Sequence, residues 1–303
     1  MYYDSTLAMI GNTPIVKLNN LGQNPDVNIY AKLELCNPSG SVKDRVGSYM
    51  IRDAESKGIL HPGCTIVEAT AGNTGIGIAF AALGHGYRTV FVVPDKFSKE
   101  KLTLMRALGA EIVTTSYDDG MLGAENKAEE LLDSIPDSVC LRQFRNPSNP
   151  LAHYETTGPE IYSDLNGNIT HLVAGAGSGG TFTGTVRYLK EMDRNVKGVL
   201  ADPIGSVIGG GEKGHYSIEG IGNDFVADTM DVSLVDEVQK ISDEDAISGS
   251  RLLAKKEGIF AGASSGAAIT AAIRTSQKLD RGHIVAILPD RGDRYFSKCL
   301  YET

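Results

Sequence analysis

The sequence predicts an α/β protein of two domains, each a mainly parallel, twisted sheet flanked by helices. Short β-branched runs alternate with helical patterns through most of the chain. Strands and helices alternating at this spacing form parallel βαβ units with right-handed crossovers. The length, 303 residues, is large for one hydrophobic core and suits two. The alternation breaks at NPSNP (146–150), where two prolines interrupt it. This places a smaller domain over 39–146 and a larger one over 1–38 plus 147–303, with a cleft between them.

The elements follow in order. NPSGSVKDR (37–45) is a turn-rich run that opens a helix. TIVEAT (65–70) reads as a buried strand, followed by a helix beginning near Thr74. TVFVVP (89–94) is the next strand, and SKEKLTLMRALG (98–109) has apolar residues at helical spacing with a glycine stop. A strand at 111–115, a helix at 121–133 and a strand at 139–144 continue the series. Beyond the break come a helix near 151–164, a strand at 170–176, a helix from Thr181 and a strand at 196–202. The Gly-rich segment 203–230 reads as a loop region beside the site. Helices at 243–257 and from about Ser264, then a strand at 283–290, close the chain.

Composition narrows the function. A net charge of −9 argues against nucleic acid or an anionic membrane as partner, since both need a basic footprint. No apolar run approaches the ~20 residues of a membrane-spanning helix, and the first residues do not resemble a secretory signal, so the cytoplasm is expected. Cys36, Cys64, Cys140 and Cys299 lack any CxxC spacing and read as free thiols. The six histidines show no metal spacing, so no metal is expected and none is singled out for catalysis. Thirty-five glycines exceed the average usage of ~7%, and they cluster in motifs.

Three segments repeat one device, a strand ending in a Gly/Ser/Thr loop that opens a helix: 68–80, 172–184 and 258–270. Each presents unpaired backbone N–H groups at the positive end of a helix, which is an anion site. The second carries G-x-G-x-x-G at Gly175, Gly177 and Gly180, with Asp202 about twenty residues on. It therefore admits NAD, as in a nicotinamide-dependent dehydrogenase. The third carries G-x-S-x-G around Ser264, the pattern of a hydrolase nucleophile, although Asp280 and His283 are poorly placed to complete a triad. A capped helix start is the plainer reading of Ser264 and Ser265.

Lys43 fits neither alternative. A cation at a helix N-terminus opposes the dipole, which favours the neutral amine. Such an amine can form a Schiff base with an aldehyde cofactor. Pyridoxal phosphate supplies that aldehyde plus a phosphate for one Gly loop, and an amino-acid substrate brings a carboxylate for another. The plain alternative is a solvated lysine paired with Asp44 or Asp53.

The chain resembles the pyridoxal-phosphate-dependent cysteine synthases and cystathionine β-synthases, of fold type II. The resemblance runs from IGNTPIVKL (10–18) through NPSGSVKDR, EATAGNTGIG, NPLAHYETT (149–157), GAGSGGT (175–181) and EGIGNDF (219–225) to ILPDRGDRYFS (287–297). It implies that Lys43 is the Schiff-base lysine and general base of a β-replacement passing through an aminoacrylate. It implies that Gly177, Ser178, Gly179, Gly180 and Thr181 cradle the phosphate and that Asn73 lies beside the ring hydroxyl. Thr70, Ala71, Gly72, Asn73, Thr74 and Gln143 would clamp the substrate carboxylate on a smaller, mobile domain, with Gly220, Ile221 and Gly222 near the substrate amine.

Two positions depart from the family. Ala71 stands where serine is common, and Asp290–Arg291 stands where a serine is expected to face the pyridine nitrogen. Either Asp290 or a displaced backbone would make that contact. ADPIGS, EGIGNDF and NPLAHYETT are closer to the cystathionine β-synthase branch than to ordinary cysteine synthases, and the chain resembles the short bacterial enzymes that act on O-acetylserine or serine with homocysteine. Sulfide as acceptor, or cysteine as donor with release of hydrogen sulfide, uses the same chemistry. Family habit implies a homodimer and allows a peptide tail at the mouth of the site.

Overall fold

In the computed structural model, residues 2–21, 24–70, 72–95 and 98–302 are described. They form two sheets. The larger has the order β1 (Ile15–Leu18), β2 (Val27–Leu33), β10 (Gly282–Leu288), β7 (His171–Gly175), β8 (Lys197–Pro203), β9 (Glu237–Ile241). Of its pairings, β1 with β2 is antiparallel and the rest are parallel. The smaller sheet, all parallel, has the order β5 (Glu111–Thr115), β4 (Arg88–Pro94), β3 (Thr65–Ala69), β6 (Ser138–Val139).

Both sheets are covered on two faces, which is why their strands read as continuous apolar runs. In the larger sheet Val173, Ile284, Ala286 and Leu288 join a core that includes Ala246 and Leu253 of α8 (Asp243–Glu257) and Ile269 of α9 (Ala263–Ser276). Their neighbours Leu172, Ala174, Val285 and Ile287 join a separate core with Phe182 and Val186 of α7 (Gly180–Met192). The smaller sheet splits likewise. Ile66, Phe91 and Val93 pack with α1 (Lys43–Ser56), α2 (Asn73–Ala81) and Met105 of α3 (Lys99–Ala107). Val67, Val90 and Val92 pack instead with Ala124 and Ala128 of α4 (Gly120–Ser134). This is the two-residue alternation of a pleated strand.

The structure departs from the sequence reading in three places. Strands β1, β2 and β9 lie outside the predicted series, and β2 hides a buried lysine, Lys32, that breaks its apolar pattern. The predicted strand at 139–144 pairs only through β6. Beyond it Arg142 takes φ +52°, and Glu68 accepts the N–H groups of Leu141 (3.0 Å) and Arg142 (3.3 Å) in place of a neighbouring strand. The predicted helix at 151–164 is three pieces: α5 (Ser148–Ala152), a π-helical turn at His153–Thr157, and α6 (Gly158–Asp164).

Helix α1 meets α2 at bare backbone. A Cβ on Gly47 would sit 2.5 Å from the carbonyl oxygen of Gly77, and one on Gly77 would collide with the carbonyl of Lys43. Gly47→Ala should therefore force the helices apart. We expect a loss of about 1–3 kcal/mol, the usual cost of overpacking, read as a lower urea midpoint at unchanged m-value.

Candidate active site

Lys43 is the first residue of α1, and its neighbours hold it at the cleft. The Val42 N–H donates to the Pro289 carbonyl (2.8 Å), tying the turn to the end of β10. Asp44 accepts the Ser39 N–H (2.6 Å) and the Ser39 hydroxyl. Arg45 is buried and donates to both Glu34 oxygens (2.8 Å each) and to Glu160 (2.6 and 2.7 Å). Burial alone would raise the Glu34 pKa, but Arg45 overrides it and brings the carboxyl to about 2. Asp44 and Asp53 are engaged with Ser39 and Lys57, not with Lys43. Among the described residues no group pairs with the Lys43 amine. Burial lowers its pKa from 10.5 to about 8, so a useful fraction is neutral near physiological pH.

The amine faces a cavity of about 300 Å³ between the two sheets. Thr70, Gly72, Asn73, Thr74 and Gln143 line one wall; Ala71 lies outside the described residues. The Thr74 hydroxyl donates to Gln143 Oε1 (2.6 Å). A single hydrogen bond thereby orients the amide, and its NH₂ end is left for an anion together with the N–H groups at the start of α2.

Gly177, Ser178, Gly179 and Thr181 line the opposite wall at the start of α7. Gly179 has φ +81°, a conformation that favours glycine. A Cβ on Gly177 would lie 2.7 Å from the Gly220 carbonyl, so this helix start and the 219–225 segment need close backbone approach. Gly180 does not line the cavity; it packs against Asn149. Gly220, Ile221 and Gly222 complete that side of the cleft, anchored where the Gly222 N–H donates to the Ala176 carbonyl (2.7 Å).

Several residues here escaped sequence reasoning. Buried Asn149 bridges the two walls, donating to the Gln143 carbonyl (2.8 Å) and to Ser178 Oγ (3.0 Å). His153, on the π-helical turn, lies 3.2 Å from the Thr181 hydroxyl through Nε2 and 2.9 Å from Thr157 through Nδ1. Its burial, with Arg45 nearby, lowers its pKa to about 3; it is a neutral relay of hydrogen bonds. Lys101 and Glu219 also line the cavity, paired at 2.5 Å. No local spacing marks these residues, and the only signal for some of them was membership of a long motif.

Other expectations are corrected. Asp290 does not line the cavity. It is buried behind the wall, where Oδ2 accepts from Asn73 Nδ2 (2.6 Å) and the Tyr295 hydroxyl (2.5 Å). Arg291 turns outward, with Nε on the Leu35 carbonyl (3.0 Å). Ser264, at the start of α9, does line the cavity, as do Ile287 and Pro289. The hydrolase alternative fails because His283 lies at the start of β10, bonded to Thr170 and near Tyr30, at the far end of the strand from Pro289. The dinucleotide alternative loses its acid: Asp202 is buried, bonded to Lys240 (2.6 Å) and the Gly209 N–H (3.0 Å). All four cysteines are free. Among the described residues there is no cluster of metal-ligating side chains and no helix long and apolar enough to cross a membrane.

The family model described as a pyridoxal-phosphate dependent enzyme matches residues 6–290. The chain is 49% identical over 295 residues to an O-acetylserine dependent cystathionine beta-synthase of Bacillus subtilis, covering 97% of this chain and 96% of that protein. It is 48% identical over 295 residues to a cysteine synthase of Helicobacter pylori, covering 96% of each. A crystal structure of O-acetylserine dependent cystathionine beta-synthase from Helicobacter pylori superposes with a TM-score of 0.94 at 46% identity, covering 99% of both chains.

The desolvated lysine has a consequence for stability. The folded state binds its proton less tightly than the unfolded state, so the apoprotein gains stability as pH rises from about 8 towards 10.5. Lys43→Met should remove that slope. At pH 7 the variant should be more stable than the parent by about 1–2 kcal/mol, because Lys43 as a whole is only half-buried and burial therefore costs less than the full ~1.36 kcal/mol per unit. Urea titrations of both apoproteins at pH 7 and pH 10 would measure the difference.

Proposed function

The chain belongs to the pyridoxal-phosphate-dependent enzymes, as a β-replacement enzyme of the cystathionine β-synthase and cysteine synthase type, and we propose that it exchanges the β-substituent of O-acetylserine or serine for the thiol of homocysteine. The observation that carries this reading is the Lys43 amine, without a partner among the described residues, in a cavity lined by two separate helix starts.

The residues fit the cofactor. The N–H groups and hydroxyls at Gly177 to Thr181 suit a phosphate at a helix start. Asn73 would meet the ring hydroxyl, and the Ser264 hydroxyl would meet the pyridine nitrogen. The bound cofactor supplies an electron sink for the pair released at the substrate α-carbon. Lys43 Nζ would bind the cofactor's aldehyde and, as general base, would take the α-proton and return it. The Thr70–Thr74 loop and Gln143 hold the α-carboxylate. Closure of the 39–146 unit over that carboxylate would exclude water from the reacting carbon.

An amino-acid acceptor is favoured by Lys101 and Glu219. A cation and an anion side by side on the cavity wall match the carboxylate and ammonium of homocysteine or cysteine, and sulfide has no use for them. Sulfide as acceptor is the second reading, and cysteine as donor would release hydrogen sulfide. Exposed Phe260 and Phe296, with Ile259 and Leu35, border one surface groove, which supports burial in a homodimer. Met121 and Phe144 also line the cavity, and a partner's carboxylate-ended peptide tail would enter beside them. The cytoplasm is the proposed compartment.

Three measurements test these points. Borohydride treatment of the purified holoenzyme should fix the cofactor on Lys43, and Lys43→Ala should show no such adduct. Glu219→Gln should raise KM for homocysteine about ten-fold and leave the sulfide reaction within about two-fold; equal effects on both would remove the acceptor assignment. Phe260→Asp combined with Phe296→Asp should halve the mass seen by sedimentation.

A further inference from the structure

Asn73 begins α2 and lines the cavity, yet two residues from the far end of the chain hold its side chain. Arg294 Nη1 donates to Asn73 Oδ1, and Asp290 Oδ2 accepts from Asn73 Nδ2 at 2.6 Å. Both partners are buried. A guanidinium can only donate and a carboxylate can only accept, so the two ends of the amide cannot exchange. That leaves a second Nδ2 hydrogen without a partner among the described residues, on a side chain at the cavity wall.

The grip is itself anchored on three sides. Arg294 also donates to the Ser39 carbonyl, in the turn before Lys43. The Tyr295 hydroxyl shares Asp290 Oδ2 at 2.5 Å, and Lys101 lies over the Tyr295 ring at 4.5 Å. Asp290 Oδ1 is buried without a partner among the described residues, a desolvation cost that the bonds at Oδ2 offset.

We infer that Asp290 and Arg294 are positioning residues that lock the Asn73 amide with one N–H directed at the cofactor's ring oxygen. The inference rests on the proposed cofactor site. Neither residue touches the reacting atoms. Their effect runs through Asn73, whose donor would favour the ionised ring oxygen and so tune the cofactor as an electron sink.

Asp290→Asn is nearly isosteric but can donate as well as accept, which frees the amide to turn; Arg294→Gln releases it from the other end. In the cofactor-loaded enzyme both variants should lower the ratio of visible to near-ultraviolet cofactor absorbance at least about two-fold. Both should lower kcat about ten-fold with KM for the donor within about two-fold. Tyr295→Phe removes a bond to Asp290 and spares both contacts to Asn73, so its absorbance ratio should stay at the parent value. Parent-like ratios in Asp290→Asn and Arg294→Gln, at full cofactor content, would overturn the inference. So would an equal change in Tyr295→Phe, which would mark a general loosening of the C-terminal segment. Absence of cofactor absorbance from the parent enzyme would instead overturn the cofactor site itself. Should either variant fail to fold, Asn73→Asp, which loses the donor, must reproduce the fall in the ratio or the inference is lost.

Discussion

The contact on which the site depends is the crossing of α1 and α2 at Gly47 and Gly77. Because two backbones touch there, the start of each helix is fixed relative to the other. One start carries Lys43 and the other carries Asn73 and Thr74. A side chain at either glycine would shift the proposed base relative to the carbon it deprotonates, by an amount that matters on the scale of a proton transfer. The buried Arg45 cluster then pins α1 through Glu34 on one side and Glu160 on the other. Such a cluster adds little net stability. Its rigidity serves to hold Lys43 in place.

Around that fixed point the site is assembled from opposite ends of the chain. The larger sheet presents the Gly177–Thr181 helix start at the end of β7, and Ser264 stands with the residues at the end of β10. The smaller sheet presents Thr70 at the end of β3 and Asn73 at the start of α2. Carboxyl ends of parallel strands are where open α/β sheets bind ligands, and here two such edges face each other. The link between them is short: Asn149 touches both the Gln143 carbonyl and the Ser178 hydroxyl. Gln143 in turn accepts from the Thr74 hydroxyl, so Asn149 ties the Gly177–Thr181 helix start to the segment that carries Gln143.

Much of this is legible in the residues alone. The alternation of apolar runs marks most strands because parallel strands are buried on both faces. The three Gly loops are visible because a tight turn before a helix restricts residue type. Lys43 stands out because its charge is at the wrong end of a helix. Legibility fails where a polar residue is buried with a distant partner. Lys32 disguises β2 because its ammonium is satisfied by Thr13, Glu160 and Asp164. Asp290 invites a role at the pyridine nitrogen because its neighbours in sequence are a motif, while its actual partner is Asn73, 217 residues away.

The sequence by itself determined the class of fold, the Gly-rich helix starts and the lysine between them, since each follows from local rules of periodicity, turn chemistry and helix electrostatics. Tertiary structure decided which helix starts share the cavity, that Ser264 and not Asp290 reaches it, and that Asp202 and His283 are excluded from it. Those outcomes depend on which strand ends meet and on which buried charges find partners. Such pairings are set by the packing of the whole chain and leave no mark on any short stretch of it.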